Sequence, residues 1–168
     1  MIPILTAADR IDIHELLARY AWALDTGDEQ AFVDCFTHAG ELAWEVFDET
    51  GCWRGQAALR RFIAYFRSRP ESAGRQHHVS NVVLDATEHG VQAKAYVLVA
   101  LRDGAGPHRL NVMGHYEDLL QQEEGRWRIA RRRILDWNGP VLARIAGQDG
   151  ERVPRPRPAA LDGLWATQ

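Results

Sequence analysis

The chain reads as an α+β protein in which a curved antiparallel sheet wraps around N-terminal helices. Three observations predict this class. Apolar residues recur at helical spacing across most of the first 67 positions, four long strand-like segments follow between positions 76 and 137, and a breaker-rich loop, Arg69-Pro70-Glu71-Ser72-Ala73-Gly74, separates the two regimes.

Thr6-Ala7-Ala8-Asp9 has the form of a capping box, the threonine hydroxyl taking a first-turn amide while the acid reaches back. Ile13, Leu16, Leu17, Tyr20, Ala21 and Leu24 then define one apolar helix face, which Gly27 closes. Asp28 is placed to cap a second helix running through Phe36, with Phe32, Val33 and Phe36 inward. Gly40 breaks that pattern, and Glu41 to Phe47 reads as a strand with Leu42, Trp44 and Val46 on one side. A turn at 48–51 leads to a short strand at 52–54. A third helix, 56–67, presents Leu59, Phe62, Ile63 and Phe66. Strands are expected at 76–85, 91–101, 110–122 and 126–137, with connections short enough for an antiparallel meander.

The domain is expected to occupy residues 1–138, and residues 139–168 to form an extended arm. In the arm, Pro154-Arg155-Pro156-Arg157-Pro158 alternates ring-locked and charged residues, which favours an extended path. Leu161, Leu164 and Trp165 give it an apolar tip suited to docking on the domain or on a neighbouring subunit.

At 168 residues and 46% hydrophobic content, one core with a pocket inside it is affordable. A net charge of -3 gives no electrostatic footprint for nucleic acid, and the run Arg131-Arg132-Arg133 is too short to change that. No apolar run approaches the roughly 18 residues of a membrane span, and there is no signal-like N-terminus, so a cytoplasmic protein is expected. Cys35 and Cys52 are isolated, as expected for reduced thiols. His-Glu-x-x-His, His-x-His and phosphate-binding glycine loops are absent; a metal site could be assembled only from scattered residues such as His77, His115 and an acid. No metal and no cofactor are expected.

Tyr20-Ala21-Trp22-Ala23-Leu24-Asp25-Thr26-Gly27-Asp28, Phe32 and Phe36, His77-His78-Val79-Ser80-Asn81, Gly114-His115-Tyr116-Glu117-Asp118 and Gly125-Arg126-Trp127-Arg128-Ile129 together resemble the SnoaL-like branch of the NTF2-like superfamily, over roughly residues 6–137. The resemblance implies a cone of curved strands closed by helices around a deep pocket. It is similar in particular to small cofactor-free lyases and isomerases of the scytalone dehydratase, bile acid 7α-dehydratase and lindane dehydrochlorinase types. These pair an aspartate ending the first helix with a histidine entering a central strand, positions matched by Asp25 and His77, and Tyr20 matches a tyrosine near the substrate in the two dehydratases. The second histidine of scytalone dehydratase has no counterpart near Leu101. The resemblance extends to non-catalytic relatives, including small subunits of ring-hydroxylating dioxygenases. With the apolar tip, it suggests a homo-oligomer, a trimer or a dimer.

The expected function is therefore a dehydratase or isomerase acting by His/Asp acid–base chemistry on an apolar polyketide-, steroid- or carbocycle-like small molecule. The alternative is a ligand-binding or assembly subunit. His77 would act as base, Asp25 would orient it, and Tyr20 would assist. Each also has a structural reading. Asp25 could bond amides of the next turn, and Tyr20 could simply pack in the core. Since His77 and His78 are neighbours in a strand, only one can face the pocket. Tyr20 and Asp25, about 140° apart around an ideal helix, converge only if the helix has unwound at Asp25. Trp44, Tyr96 and Tyr116 are candidate pocket walls. Arg131 and Arg133 share the parity of Trp127 and Ile129, so Arg133 could hold an anionic group unless a bulge reverses the register.

Overall fold

Thr6 starts the first helix with the full capping box, its hydroxyl accepting from the Asp9 amide while Asp9 takes the Thr6 amide at 2.9 Å. The computed structural model describes residues 4–102, 104–138 and 154–168. Helix α1 (Ala7–Thr26) buries Ile13, Leu16, Leu17, Tyr20 and Leu24, and ends at Gly27 in the left-handed conformation, φ 70°. Asp28 caps α2 (Glu29–Asp34) by accepting from the Ala31 amide at 3.0 Å.

The second helix is shorter than its sequence suggests. Phe36 opens strand β1 (Phe36–Trp44) instead of ending α2, because the Cys35 carbonyl accepts the Ile129 amide at 2.8 Å and commits the chain to the sheet. The Phe36 ring remains in the core, beside Phe32 and Tyr20. Gly40 lies inside this strand. A Cβ there would stand 2.8 Å from the Phe36 Cβ and 2.9 Å from the Ile129 carbonyl oxygen, so glycine answers a close approach, not a chain break.

β2 (Gly51–Arg54), α3 (Gly55–Arg67), a 3₁₀ turn (Pro70–Ser72), β3 (Gln76–Thr87), β4 (Gly90–Arg102), β5 (His108–Glu123) and β6 (Arg126–Asp136) follow. Their order in the sheet is β2-β1-β6-β5-β4-β3, antiparallel except for the parallel β1–β6 pair. Val91, Ala93, Ala95, Val97 and Val99 of β4 and Tyr116, Asp118 and Leu120 of β5 point toward the helices. This is the mixed α+β, curved-sheet architecture that the periodicities predict.

β6 carries a bulge at Ala130, since Leu119 pairs with Arg131 but Leu120 pairs with Ile129. One extra residue reverses side-chain parity downstream. Trp127 and Ile129 face the core before it, and Arg132 and Ile134 after it. The inward arginine is therefore Arg132, and the expectation for Arg131 or Arg133 is corrected.

Part of the expected arm, 139–153, lies outside the described residues. Beyond it, Arg155 forms a bridge with Phe47, donating its amide to the Val46 carbonyl and accepting the Asp48 amide. A 3₁₀ turn (Ala159–Leu161) and a one-turn helix α4 (Asp162–Trp165) then seat Trp165 among Trp44, Phe47 and Trp53. Among the described residues, no helix is long and apolar enough to cross a membrane.

Candidate functional site

The last turn of α1 and the first residues of β3 meet at the edge of the sheet. Asp25 projects from the helix, and its carboxylate is taken up by one residue twice. Oδ2 accepts the backbone amide of His77 at 2.7 Å, and Oδ1 lies 2.5 Å from the ring Nδ1. Both side chains are largely buried. An aspartate at a helix C-terminus is disfavoured by the carbonyl dipoles, and here the incoming strand supplies the donors that hold it. No bond from Asp25 to an amide of the following turn is made among the described residues.

His77 faces the helices while His78 is exposed, as strand alternation requires. Burial lowers the pKa of His77 below its ordinary 6.5, against the raising effects of the Asp25 hydrogen bond and charge. A neutral imidazole that donates Nδ1–H to a carboxylate carries its lone pair on Nε2. That atom has no protein partner among the described residues.

The dyad lines a cleft of about 550 Å³, walled by Leu17, Ala18, Ala21 and Trp22 of α1 and by Val79 and Val82 of β3. Arg75, two residues before His77 and so on the same side of the entering strand, also lines it. Its Nε lies 3.9 Å from Asp25 Oδ1, and its guanidinium sits over the Phe66 ring at 4.4 Å. Burial lowers its pKa, with the Asp25 charge opposing. The sequence contained the signal for Arg75 in its parity with His77.

Tyr20 is elsewhere. Helix α1 continues past Asp25 to Thr26, so the two side chains diverge as an intact helix dictates, and Tyr20 is fully buried in the core. Its ring packs against Phe32, Phe36 and Tyr116, and its hydroxyl has no hydrogen-bond partner among the described residues. Burial pushes its pKa up to about 12, although the nearby Arg132 charge draws it down. The Arg132 guanidinium is clamped between the Tyr20 and Tyr116 rings, 3.9 and 4.2 Å from their centroids, and pairs with Asp118 through two bonds of 2.8 and 2.6 Å. Burial works against the charge on Arg132, but Asp118 outweighs it and the pKa is raised. Sequence reasoning missed this buried pair because the bulge at Ala130 was not legible.

The other expected pocket walls disperse. Trp44 packs on Phe47, Phe62, Phe66 and Trp165. Tyr116 belongs to the interior stack. Tyr96 lies on the opposite face of the sheet against Trp137, ring centroids 4.7 Å apart, in a recess shared with Arg133. Arg133 is held there by Glu45 and Glu117. His115 lines that same outer recess, away from His77. Among the described residues, no cluster of histidine, cysteine or acid side chains is arranged to hold a metal ion.

Residues 5–133 match the model of the SnoaL-like domain family. No curated protein matches the chain. An NTF2-like protein with a cystatin-like fold from Novosphingobium aromaticivorans superposes with a TM-score of 0.71 at 25% identity, over 84% of this chain and 90% of that one. An Asp-to-Asn variant of Rv3472, a protein of unknown function from Mycobacterium tuberculosis, gives 0.67 at 22% identity, over 95% and 84%. A Novosphingobium aromaticivorans protein described provisionally as a scytalone dehydratase gives 0.66 at 18% identity, over 90% and 93%. These likenesses carry the fold.

Proposed function

We propose, from the premise that the chain belongs to the SnoaL-like domain family, that it is a lyase or isomerase whose base is His77 and whose orienting acid is Asp25. The observation that supports this reading is the 2.5 Å contact between His77 Nδ1 and Asp25 Oδ1, with the opposite ring nitrogen left without a protein partner at a cleft wall. One fold-level neighbour carries a provisional dehydratase description, which agrees with it.

The chemistry needs neither a metal nor an organic cofactor. Asp25 fixes the tautomer and stabilises the imidazolium that forms when Nε2 takes a proton from a carbon beside a carbonyl. The electron pair of the broken C–H bond becomes an enolate. It then either expels hydroxide, which leaves as water when His77 returns the proton, or collects that proton at another carbon and so moves a double bond. Leu17, Ala21, Val79 and Val82 fit an apolar, ring-containing substrate.

The test is deuterium incorporation at the α-carbon of enolisable aryl ketones such as 2-tetralone, followed by NMR in D₂O. The wild-type protein should accelerate exchange, and His77→Ala and Asp25→Asn should each lose about 100-fold or more while keeping the native circular dichroism spectrum. Exchange at the wild-type rate in either variant would remove the dyad, and would leave the cleft a ligand-binding role.

A further inference from the structure

We infer that Arg75 is the specificity residue of this cleft, a seat for a carboxylate that the apolar substrate carries. The inference rests on the dyad reading for the identity of the reacting centre, and on independent observations for the charge. The Arg75 side chain is 12% exposed, yet its Nε is a buried donor with no hydrogen-bond partner among the described residues. Its one ion-pair partner among them, Asp25, is 3.9 Å away, with both carboxylate oxygens already bonded to His77. A guanidinium without a good acceptor in a largely buried position is costly unless an anion joins it, and its planar fork suits a carboxylate better than any other small group.

The lining as a whole favours the same ligand. Among the described residues, Asp25 is the sole acid lining the cleft, whereas Arg75 and the imidazoles of His14, His77, His78 and His108 all lie along it. The Phe66 ring beneath the guanidinium, 4.4 Å from its central carbon, restricts the group's freedom before anything binds. Arg75 and His77 stand on one side of the same strand entry, so a carboxylate on the first would bring a neighbouring carbon toward the second.

This seat also couples binding to basicity. Burial does most to lower the pKa of His77, and the Arg75 charge adds to it. A bound carboxylate would offset that charge, making His77 a stronger base once the substrate is in place.

The experiment compares 2-naphthoate with its neutral isostere 2-naphthamide by isothermal titration calorimetry on the full chain at pH 7.5. Wild-type protein should bind the carboxylate at least 10-fold more tightly. Arg75→Gln should abolish the preference, and Arg75→Lys, a point charge without the fork, should retain part of it. Asp25→Asn, which breaks the dyad, should keep the preference, so a failed base and a failed anion seat give different patterns. Equal affinities in the wild type, no measurable binding of either probe, or a preference that survives in Arg75→Gln would overturn the assignment. If Arg75→Gln does not fold, the wild-type comparison and the Arg75→Lys variant decide.

Discussion

Asp25 sits where a helix repels it, and the magnitudes explain why it stays. The unfavourable dipole term is about 0.3–1 kcal/mol, whereas a hydrogen bond to a charged group contributes about 1.5–3 kcal/mol, and Asp25 accepts two from His77. The pH dependence of the reaction belongs to this residue scale. Because the folded His77 pKa is depressed, the neutral base persists below 6.5. The acidic limb of kcat/KM should therefore lie below that value, with a plateau at neutral pH. Stability follows the same sign, since the unfolded chain takes up this proton first. The His77 contribution is complete above about 6.5 and is lost as pH falls toward the lower folded value. An NMR titration of the His77 ring beside the pH–rate profile checks both, and an activity limb above 6.5 would contradict the assignment. Asp25 stands out in the sequence as an electrostatic oddity and His77-His78 as a polar pair entering a strand, but the choice of His77 between the two rests on the family resemblance. Arg75 was equally legible by parity, but it stood one residue beyond a breaker run and read as loop.

Elements whose identity depends on local periodicity were readable, and those decided by a distant partner were not. The four long strands match their expected spans to within a few residues, because alternation and short turns are local signals. The end of α2 was misplaced because the Cys35 carbonyl is claimed by Ile129, a residue almost a hundred positions away. The C-terminal segment shows the same dependence on remote contacts. Trp165 is 7% exposed amid three other aromatic residues, while the Trp53 indole donates to the Thr167 hydroxyl at 3.0 Å and the Cys52 amide to the Gln168 side chain at 2.7 Å. Trp165→Ala should destabilise the protein by about 3 kcal/mol in urea titration, the low end of the usual range for a large aromatic. The low end is expected because its buried indole N–H lacks a partner among the described residues and forfeits no hydrogen bond on removal.

On the scale of the whole molecule, the end of the chain closes on its first half. Residues 155–168 bond and pack against Val46 to Trp53, so the central strands and the C-terminal turn share one core. Urea unfolding followed by tryptophan fluorescence and by far-ultraviolet circular dichroism should give coincident transitions. An earlier fluorescence change would show the C-terminal turn melting alone. The bulge at Ala130 has its own consequence for how this fold is found. Arg131, Arg132 and Arg133 are consecutive, so a one-residue slip of β6 in either direction would still bring a guanidinium to Asp118 and a second to one flank, giving up either Glu41 or Glu117. Charge attraction thus discriminates register only weakly along this strand. Discrimination falls to Ile129 and Ile134 seeking the apolar interior, and to the single extra residue between Ile129 and Arg131 that lets both isoleucines arrive there. The sheet's centre is in this sense an address written in shape, with the arginines serving as postage valid at any door.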